Sequence, residues 1–407
     1  MSLDEALQRL LAQAAPLGRT EIVSSFEADR RVLAQDVMAA LQVPPVDNSA
    51  MDGWAVRVAD VPAAGTELPV SQRIAAGQVG APLAPGSAAR IFTGAPIPPG
   101  ADAVVMQEDS DTLDGGERVR LRVVPPPGLA IRRAGEDIRR GAVVLRKGER
   151  LTPASIGLAA SMGLDALTVA GAPRVALLST GDELVMPGDL PPEALPPGAI
   201  YNSNRFFLQL LLRRLGCQVE DLGIVPDERG ATEAALRSAA EDNDLILTSG
   251  GVSVGEEDHV RPAVQALGQL DLWKIAIKPG KPFACGHVRR EQGGRAHFIG
   301  LPGNPVSSFV TFLLLVRPFV LALQGMASPA PVSIAARADF TWGKAEKRRE
   351  FLRARRNAQG GLDLFENQGS GVLTSVHWAD GLVELAPGQT VAPGQQVRFL
   401  SLAELMA

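Results

Sequence analysis

Leu245-Ile246-Leu247-Thr248-Ser249-Gly250-Gly251-Val252-Ser253-Val254-Gly255, followed by Asp258, is the stretch on which the fold turns. A short apolar run enters a glycine turn. Leu245–Thr248 reads as a buried strand, because a brief apolar run bounded by turn residues suits a covered sheet. Gly250 and Gly251 permit positive φ and close backbone approach. A strand that runs into such a turn is where an open α/β sheet places a ligand, outside the carboxyl ends of its strands.

Working outward, strand-like and helix-like runs alternate. Val175–Ser179, Val219–Val225, Leu245–Thr248, Trp273–Ile277, Phe283–Cys285 and His297–Gly300 suit strands. Asn204–Leu215, Thr232–Ala240, Val260–Leu267 and Val306–Leu323 suit helices. This spacing predicts an α/β module over 173–327 with a mostly parallel sheet and right-handed crossovers. The strands are apolar on both faces, as a sheet covered on both sides requires.

The connections after these strands carry chemistry. Thr180-Gly181-Asp182-Glu183 follows the first strand and Pro226-Asp227-Glu228 the second. Lys278-Pro279-Gly280-Lys281-Pro282 and Leu301-Pro302-Gly303-Asn304-Pro305 follow two others. The glycine turn can present backbone N–H groups to phosphate oxygens. Lys278 and Lys281 supply compact positive charges for an oxyanion. Asp182, Glu183, Asp227 and Asp258 can hold Mg²⁺ or accept ribose hydroxyl bonds. Five such connections on one rim would make a pocket for a phosphoanhydride and a divalent metal.

Flanking regions read differently. Residues 1–46 begin as a capped amphipathic helix, with Ser2 before Asp4 and Glu5, and no signal peptide is expected. Residues 47–134 are rich in Pro and Gly with short apolar runs, which suits an irregular β region. In 135–172, Thr152-Pro153 starts a helix that Gly163 ends. The tail 328–407 returns to strands, with turns at Gly360-Gly361, Asp380-Gly381 and Pro387-Gly388, and reads as a small β-barrel or sandwich. The expected fold class is thus multidomain α/β plus β.

Composition bounds the function. The 407 residues are 46% hydrophobic with a formal net charge of −5. That balance speaks against a general nucleic-acid surface. Cys217 and Cys285 lie in no metal-ligand spacing, and the four histidines form no motif. The apolar run from Val306 to Leu323 is interrupted by Ser307, Ser308, Arg317 and Pro318, so it reads as a buried helix rather than a membrane span. A cytoplasmic location is expected.

Seven motifs in order resemble the MoeA family of molybdopterin molybdenumtransferases, which includes the C-terminal region of gephyrin. They are Asp47–Gly53 (Asp-Asn-Ser-Ala-Met-Asp-Gly), Phe92–Ala95 with Gln107-Glu108, Gly135–Ile138, Ser179–Leu184, Ser249–Gly255, Lys278–Pro282 and Leu301–Pro305. The resemblance covers essentially the whole chain. It implies a domain I from 1–46 and 135–172, an inserted β domain II at 47–134, a pterin-binding domain III at 173–327, and a small β-barrel domain IV at 328–407. Domain III is similar to the whole fold of the molybdopterin adenylyltransferases, but the segments before and after it speak against that activity. A non-enzymatic scaffold is the other rival; no disordered linker supports it.

The resemblance further implies Mg²⁺-dependent insertion of molybdate into adenylylated molybdopterin with release of AMP. It implies a homodimer, with domain II of one subunit near domain III of the other. Transient contacts with the adenylyltransferase and with recipient molybdoenzymes would follow. Family positions fall on Asp52, Thr93 and Asp137 outside domain III, and on the acids Glu183, Asp227 and Asp258 within it, which are also the metal candidates. Substrate-binding positions fall on Ser249, Gly250, Gly251, Ser253, Gly255, Lys274, Lys278, Lys281, Pro302 and Asn304. In the tail they fall on Arg348 or Arg353 and on Ser370 or Ser375. Two departures stand out: Trp54 where a tyrosine is frequent, and Pro226-Asp227-Glu228 where two aspartates are frequent.

Overall fold

The computed structural model describes residues 1–251 and 259–406. Its contacts group the chain into two units. One comprises Met1–Gln35, Lys147–Thr152 and Ala166–Ala407; the other comprises Asp36–Arg146 and Pro153–Asp165.

The first unit opens with helix α1 (Leu3–Leu11). The Ser2 hydroxyl accepts from the Glu5 N–H at 3.2 Å, and the Glu5 carboxylate accepts from the Ser2 N–H at 2.9 Å, a reciprocal capping box. The α/β module follows. Its strands are β1 (Arg174–Thr180), β2 (Gln218–Val225), β3 (Leu245–Ser249), β4 (Gly268–Lys274), β5 (Pro282–Arg289) and β6 (Arg295–Leu301). Its helices are α2 (Ser203–Arg214), α3 (Arg229–Asp242), α4 (Val260–Leu267) and α5 (Pro305–Leu323).

The sheet order is β2-β1-β3-β6-β5-β4. β1, β2, β3 and β6 pair in parallel, while β5 runs antiparallel to both β6 and β4. The antiparallel member has a local cause: only residues 290–294 join β5 to β6, too few for a crossover helix. The expected Trp273–Ile277 strand is also corrected. The strand ends at Lys274, and Ile277–Lys278 leaves this sheet to pair with the C-terminal one.

Alternation along the strands sorts side chains into two cores. Val175, Leu177, Leu245, Leu247, Ile299 and Leu301 meet α1, α2 and α5. Ala176, Leu178, Ile246 and Phe298 meet α3 and α4. Period-two side-chain direction makes this split automatic once the strands form. α5 spans 19 residues, and 94% of its most apolar 18-residue window is buried inside the protein. Its middle, Phe312–Val316, is a π-helical turn immediately before Arg317-Pro318. The wider turn accommodates a proline that would clash with the carbonyl four residues back in a regular α-helix.

The C-terminal sheet contains β7 (Ile334–Arg337), β8 (Arg349–Arg356), β9 (Leu362–Leu364), β10 (Gly381–Leu385) and β11 (Gln396–Ser401). Its ladder runs from Ile277–Lys278 through β8, β10 and β11 to β7, with β9 on β8. One isolated bridge, Ala338 to Leu362, joins the segment after β7 to β9. Among the described residues, the ladder β9-β8-β10-β11-β7 is thus joined end to end by that bridge alone, with the Asp339 N–H donating to the Leu362 carbonyl at 3.0 Å.

The second unit holds a six-stranded sheet in the order Ala103–Met106, Gly53–Val56, Ala88–Ile91, Thr66–Ile74, Arg118–Leu121, Ser110–Leu113. Its cores are small and aliphatic apart from Trp54. The helix at Pro153–Ser161 begins and ends near the expected residues, and Gly163 takes φ +83°.

His297 on β6 packs edge-on against Phe319 of α5, with ring centroids 5.0 Å apart. Burial first, then Arg295, pushes its imidazole from the ordinary 6.5 down to about 4. The folded state therefore favours the neutral ring. Its contribution to stability is complete above pH 6.5 and is lost as pH falls toward 4. His297→Gln is expected to flatten the pH dependence of urea unfolding across that window; an unchanged slope would show that other groups cause it.

Candidate functional site

The parallel strands bring their carboxyl ends to one rim. β4 runs in the same sense, and the amino end of antiparallel β5 lies beside it, so Lys274 and Pro282 pair across the ladder. The turns after β1, β3 and β6, with Asp227 after β2, line a cleft of about 700 Å³. Thr180, Glu183, Tyr201, Asn202, Asn204, Asp227, Ser249, Gly250, Gly251, Pro302, Gly303 and Asn304 all contribute.

Backbone geometry explains the glycines. Gly250 has φ +95°, and a Cβ there would lie 2.9 Å from the Thr180 carbonyl oxygen. Gly251 has φ +64°, and a Cβ would lie 2.5 Å from a Val260 methyl. The turn thus passes against β1 and α4 at a distance no side chain permits. The Gly250 N–H donates to the Leu301 carbonyl at 3.1 Å. It is therefore engaged in tying two turns together rather than open to a phosphate, which corrects the expectation for that amide.

Glu183 and Asp227 are the cleft's carboxylates. Asp182 is exposed and outside the lining. Asp258, Ser253 and Gly255 lie outside the described residues. Among the described residues, no group of three or more His, Cys, Asp or Glu gathers as a metal site. Two carboxylates in one cleft nonetheless match the donor set of Mg²⁺, which commonly takes one or two carboxylates and completes its shell with phosphate and water.

The lysines divide. Lys278 donates to Glu346 at 2.8 Å and lies 3.0 Å from Glu350, whose side chain is only 2% exposed. Burial opposes its charge, but the two carboxylates prevail and raise its pKa. Lys278 thus joins the module to β8, with two of its three ammonium donors directed at carboxylates. Lys274 and Lys281 are exposed on the rim and form no ion pair among the described residues.

The tail alternatives divide in the same way. Arg353 is 1% exposed and donates to the Ser375 hydroxyl at 3.0 Å and to the Phe351 and Gly369 carbonyls at 3.1 Å each. Burial without a carboxylate partner lowers its pKa to about 10. Ser375 is fully buried and donates to the Val372 carbonyl. This pair braces the 369–372 turn. Arg348 and Ser370 are the less buried members. Arg348 donates to the Ile277 carbonyl at 3.2 Å, and the Ser370 carbonyl accepts from Val306 in the first turn of α5 at 2.9 Å. Gly371, next to Ser370, lines the cleft.

In the second unit, Asp52 accepts from the Thr93 N–H and hydroxyl, each at 2.8 Å. The backbone bond first, then the hydroxyl, with Arg90 nearby, hold its carboxyl below the usual range. Arg90 lies between the Trp54 and Phe92 rings, at 5.1 and 4.7 Å from their centroids, and donates to the Gly53 carbonyl and to Gln107. Asp137 is exposed, with its N–H on the Val43 carbonyl at 3.1 Å.

Sequence reasoning missed Tyr201, Asn202, Asn204 and Arg90. The local signal at Asn202 is legible in retrospect: its side chain caps α2 by accepting from the Arg205 N–H at 3.2 Å. The second bonds of Asn204, to Ser249 and Gly303, have no local signal.

An α/β module with its cleft at the strand ends, extended by β domains, defines a multidomain ligand-binding enzyme architecture. Family models agree along the chain: the MoeA N-terminal region (domain I and II) over 1–163, a probable molybdopterin binding domain over 176–322, and the MoeA C-terminal region (domain IV) over 335–402. The chain is 43% identical over 354 residues to the molybdopterin molybdenumtransferase of Haemophilus influenzae, covering 87% of this chain and 85% of that one. It is 36% identical over 410 residues to molybdopterin molybdenumtransferase 2 of Mycobacterium tuberculosis, covering 97% and 98%. The structure of the molybdopterin biosynthesis MoeA protein from Pyrococcus horikoshii OT3 superposes with a TM-score of 0.82 at 28% identity, covering 98% and 99%. The chain belongs to the MoeA family of molybdopterin molybdenumtransferases, enzymes of molybdenum cofactor biosynthesis.

Removing Lys278 leaves the Glu350 carboxylate buried beside fewer cations. Breaking a buried pair from one side costs about 3 kcal/mol. Lys278→Met is therefore expected to lower the urea midpoint clearly, whereas Lys281→Met changes stability by less than about 0.5 kcal/mol. Equal effects would refute the division between the two lysines.

Proposed function

We propose that this chain inserts molybdate into adenylylated molybdopterin with Mg²⁺ and releases AMP. One observation carries the reading: Glu183 and Asp227 share a single cleft with the Ser249–Gly251 and Pro302–Asn304 turns. Glycine turns admit a phosphoanhydride closely, and the first turn of α5 points the positive end of its dipole toward the same space.

The residues divide the work. Ser249, Gly251, Pro302 and Asn304 shape the seat of the nucleotide phosphates. Glu183 and Asp227, with Asp258, would hold Mg²⁺, which when bound polarises phosphoryl oxygens and offsets their charge. Lys274 and Lys281 attract molybdate, a tetrahedral dianion, to the rim. Arg348 and Ser370 are the tail groups best placed to assist. Asp52 and Thr93 form a pre-organised carboxylate and hydroxyl pair, which would serve the site of a second subunit in a homodimer. A cytoplasmic location, and transient contact with the adenylyltransferase and with recipient molybdoenzymes, follow from the same reading.

Incubation with adenylylated molybdopterin, molybdate and Mg²⁺ is expected to release AMP and yield active cofactor. ATP with unmodified molybdopterin is expected to yield no adenylylated product. Glu183→Gln should lower kcat/KM by about 100-fold, the scale of losing one pre-organised electrostatic contact, and should raise the Mg²⁺ needed for half-maximal rate. Absence of AMP release by the unaltered chain refutes the proposal.

A further inference from the structure

Glycine-rich turns accept a ligand closely because they lack side chains, and for the same reason they do not fix themselves. The Ser249–Gly251 and Pro302–Gly303 turns approach each other with no side chain of their own between the glycines: a Cβ on Gly303 would meet the Gly250 Cα at 4.0 Å. The β3–β6 ladder below them ends at the pairing of Ser249 with Leu301, and the bond from Gly250 to Leu301 extends it into the base of the turns. Higher up, one side chain spans both.

That side chain is Asn204, the second residue of α2, only 8% exposed. Its amide nitrogen donates to the Ser249 hydroxyl at 2.7 Å and to the Gly303 carbonyl at 2.7 Å. A primary amide has two N–H donors, and both are engaged. The partners lie 45 and 99 residues away in sequence.

Asn204 is itself held from behind. Asn202 caps the helix through the Arg205 N–H. The Arg205 guanidinium pairs with Asp221 of β2 at 2.7 Å. The amide is therefore a strut between the first turn of α2 and the two turns.

We propose that Asn204 is a positioning residue that sets the separation of the two turns and hence the fit of the substrate's phosphates. It acts through Ser249 and Gly303, the two partners of its amide nitrogen, from the wall of the cleft. Its place in the reaction rests on the reading of the cleft given above.

Asn204→Asp tests this directly. The replacement keeps size and shape but sets an acceptor against the Gly303 carbonyl, so the strut becomes a repulsion. With the full chain, the Kd for AMP by calorimetry and the KM for adenylylated molybdopterin are expected to rise about 10-fold. kcat at saturation should fall less than about 3-fold, a split that general loss of folded protein would not give. Ser249→Ala removes one of the two bonds and should raise the Kd about 3-fold; in Asn204→Ala/Ser249→Ala the two effects should not add. If Asn204→Asp fails to fold, Ser249→Ala with Asn204→Ala decides. Variants that bind AMP within 2-fold of the unaltered chain, or effects that add fully, overturn this inference alone. An unaltered chain that binds no AMP overturns it together with the proposed function.

Discussion

At Gly250 the chain passes so close to β1 that a Cβ would lie 2.9 Å from the Thr180 carbonyl. This steric constraint organises the rest. It brings the turn after β3 against the turn after β1, closes one side of the cleft, and leaves the Gly250 N–H directed at Leu301. The sheet beneath can hold such a contact because its strands are covered on both faces by separate cores. A less rigid support would let the turn relax away, and the cleft would lose its shape.

The supports of the site are polar and mostly hidden. Lys278 pairs with Glu346 and Glu350, and Arg353 with Ser375, so these polar groups brace the protein internally. They fasten the C-terminal sheet to the module where Ile277–Lys278 pairs with β8. The cleft margin at Gly371 is placed by these braces and by the bond from Val306 to Ser370.

The second unit shows a different economy. Asp52 and Thr93 are bound to each other rather than to a distant partner, and Arg90 is clasped by two rings beside them. Holding Asp52 ionised requires no burial there; short hydrogen bonds and one nearby guanidinium are sufficient.

Much was legible before any coordinates. The alternation from Val175 to Leu323 specified the α/β module, since period-two and 3.6-residue patterns are local. The glycines at 250 and 251 marked a close approach, and the motif order marked the family. What tertiary structure alone decided was pairing. Sequence presents Lys278 and Lys281 as equals, and Arg348 and Arg353 likewise. Only folding sets Glu346, 68 residues on, against Lys278 and leaves Lys281 exposed. Only folding lays Asn204 between two turns 45 and 99 residues away. Local patterns dictate which elements form; the availability of a polar group depends on neighbours that arrive from elsewhere in the chain.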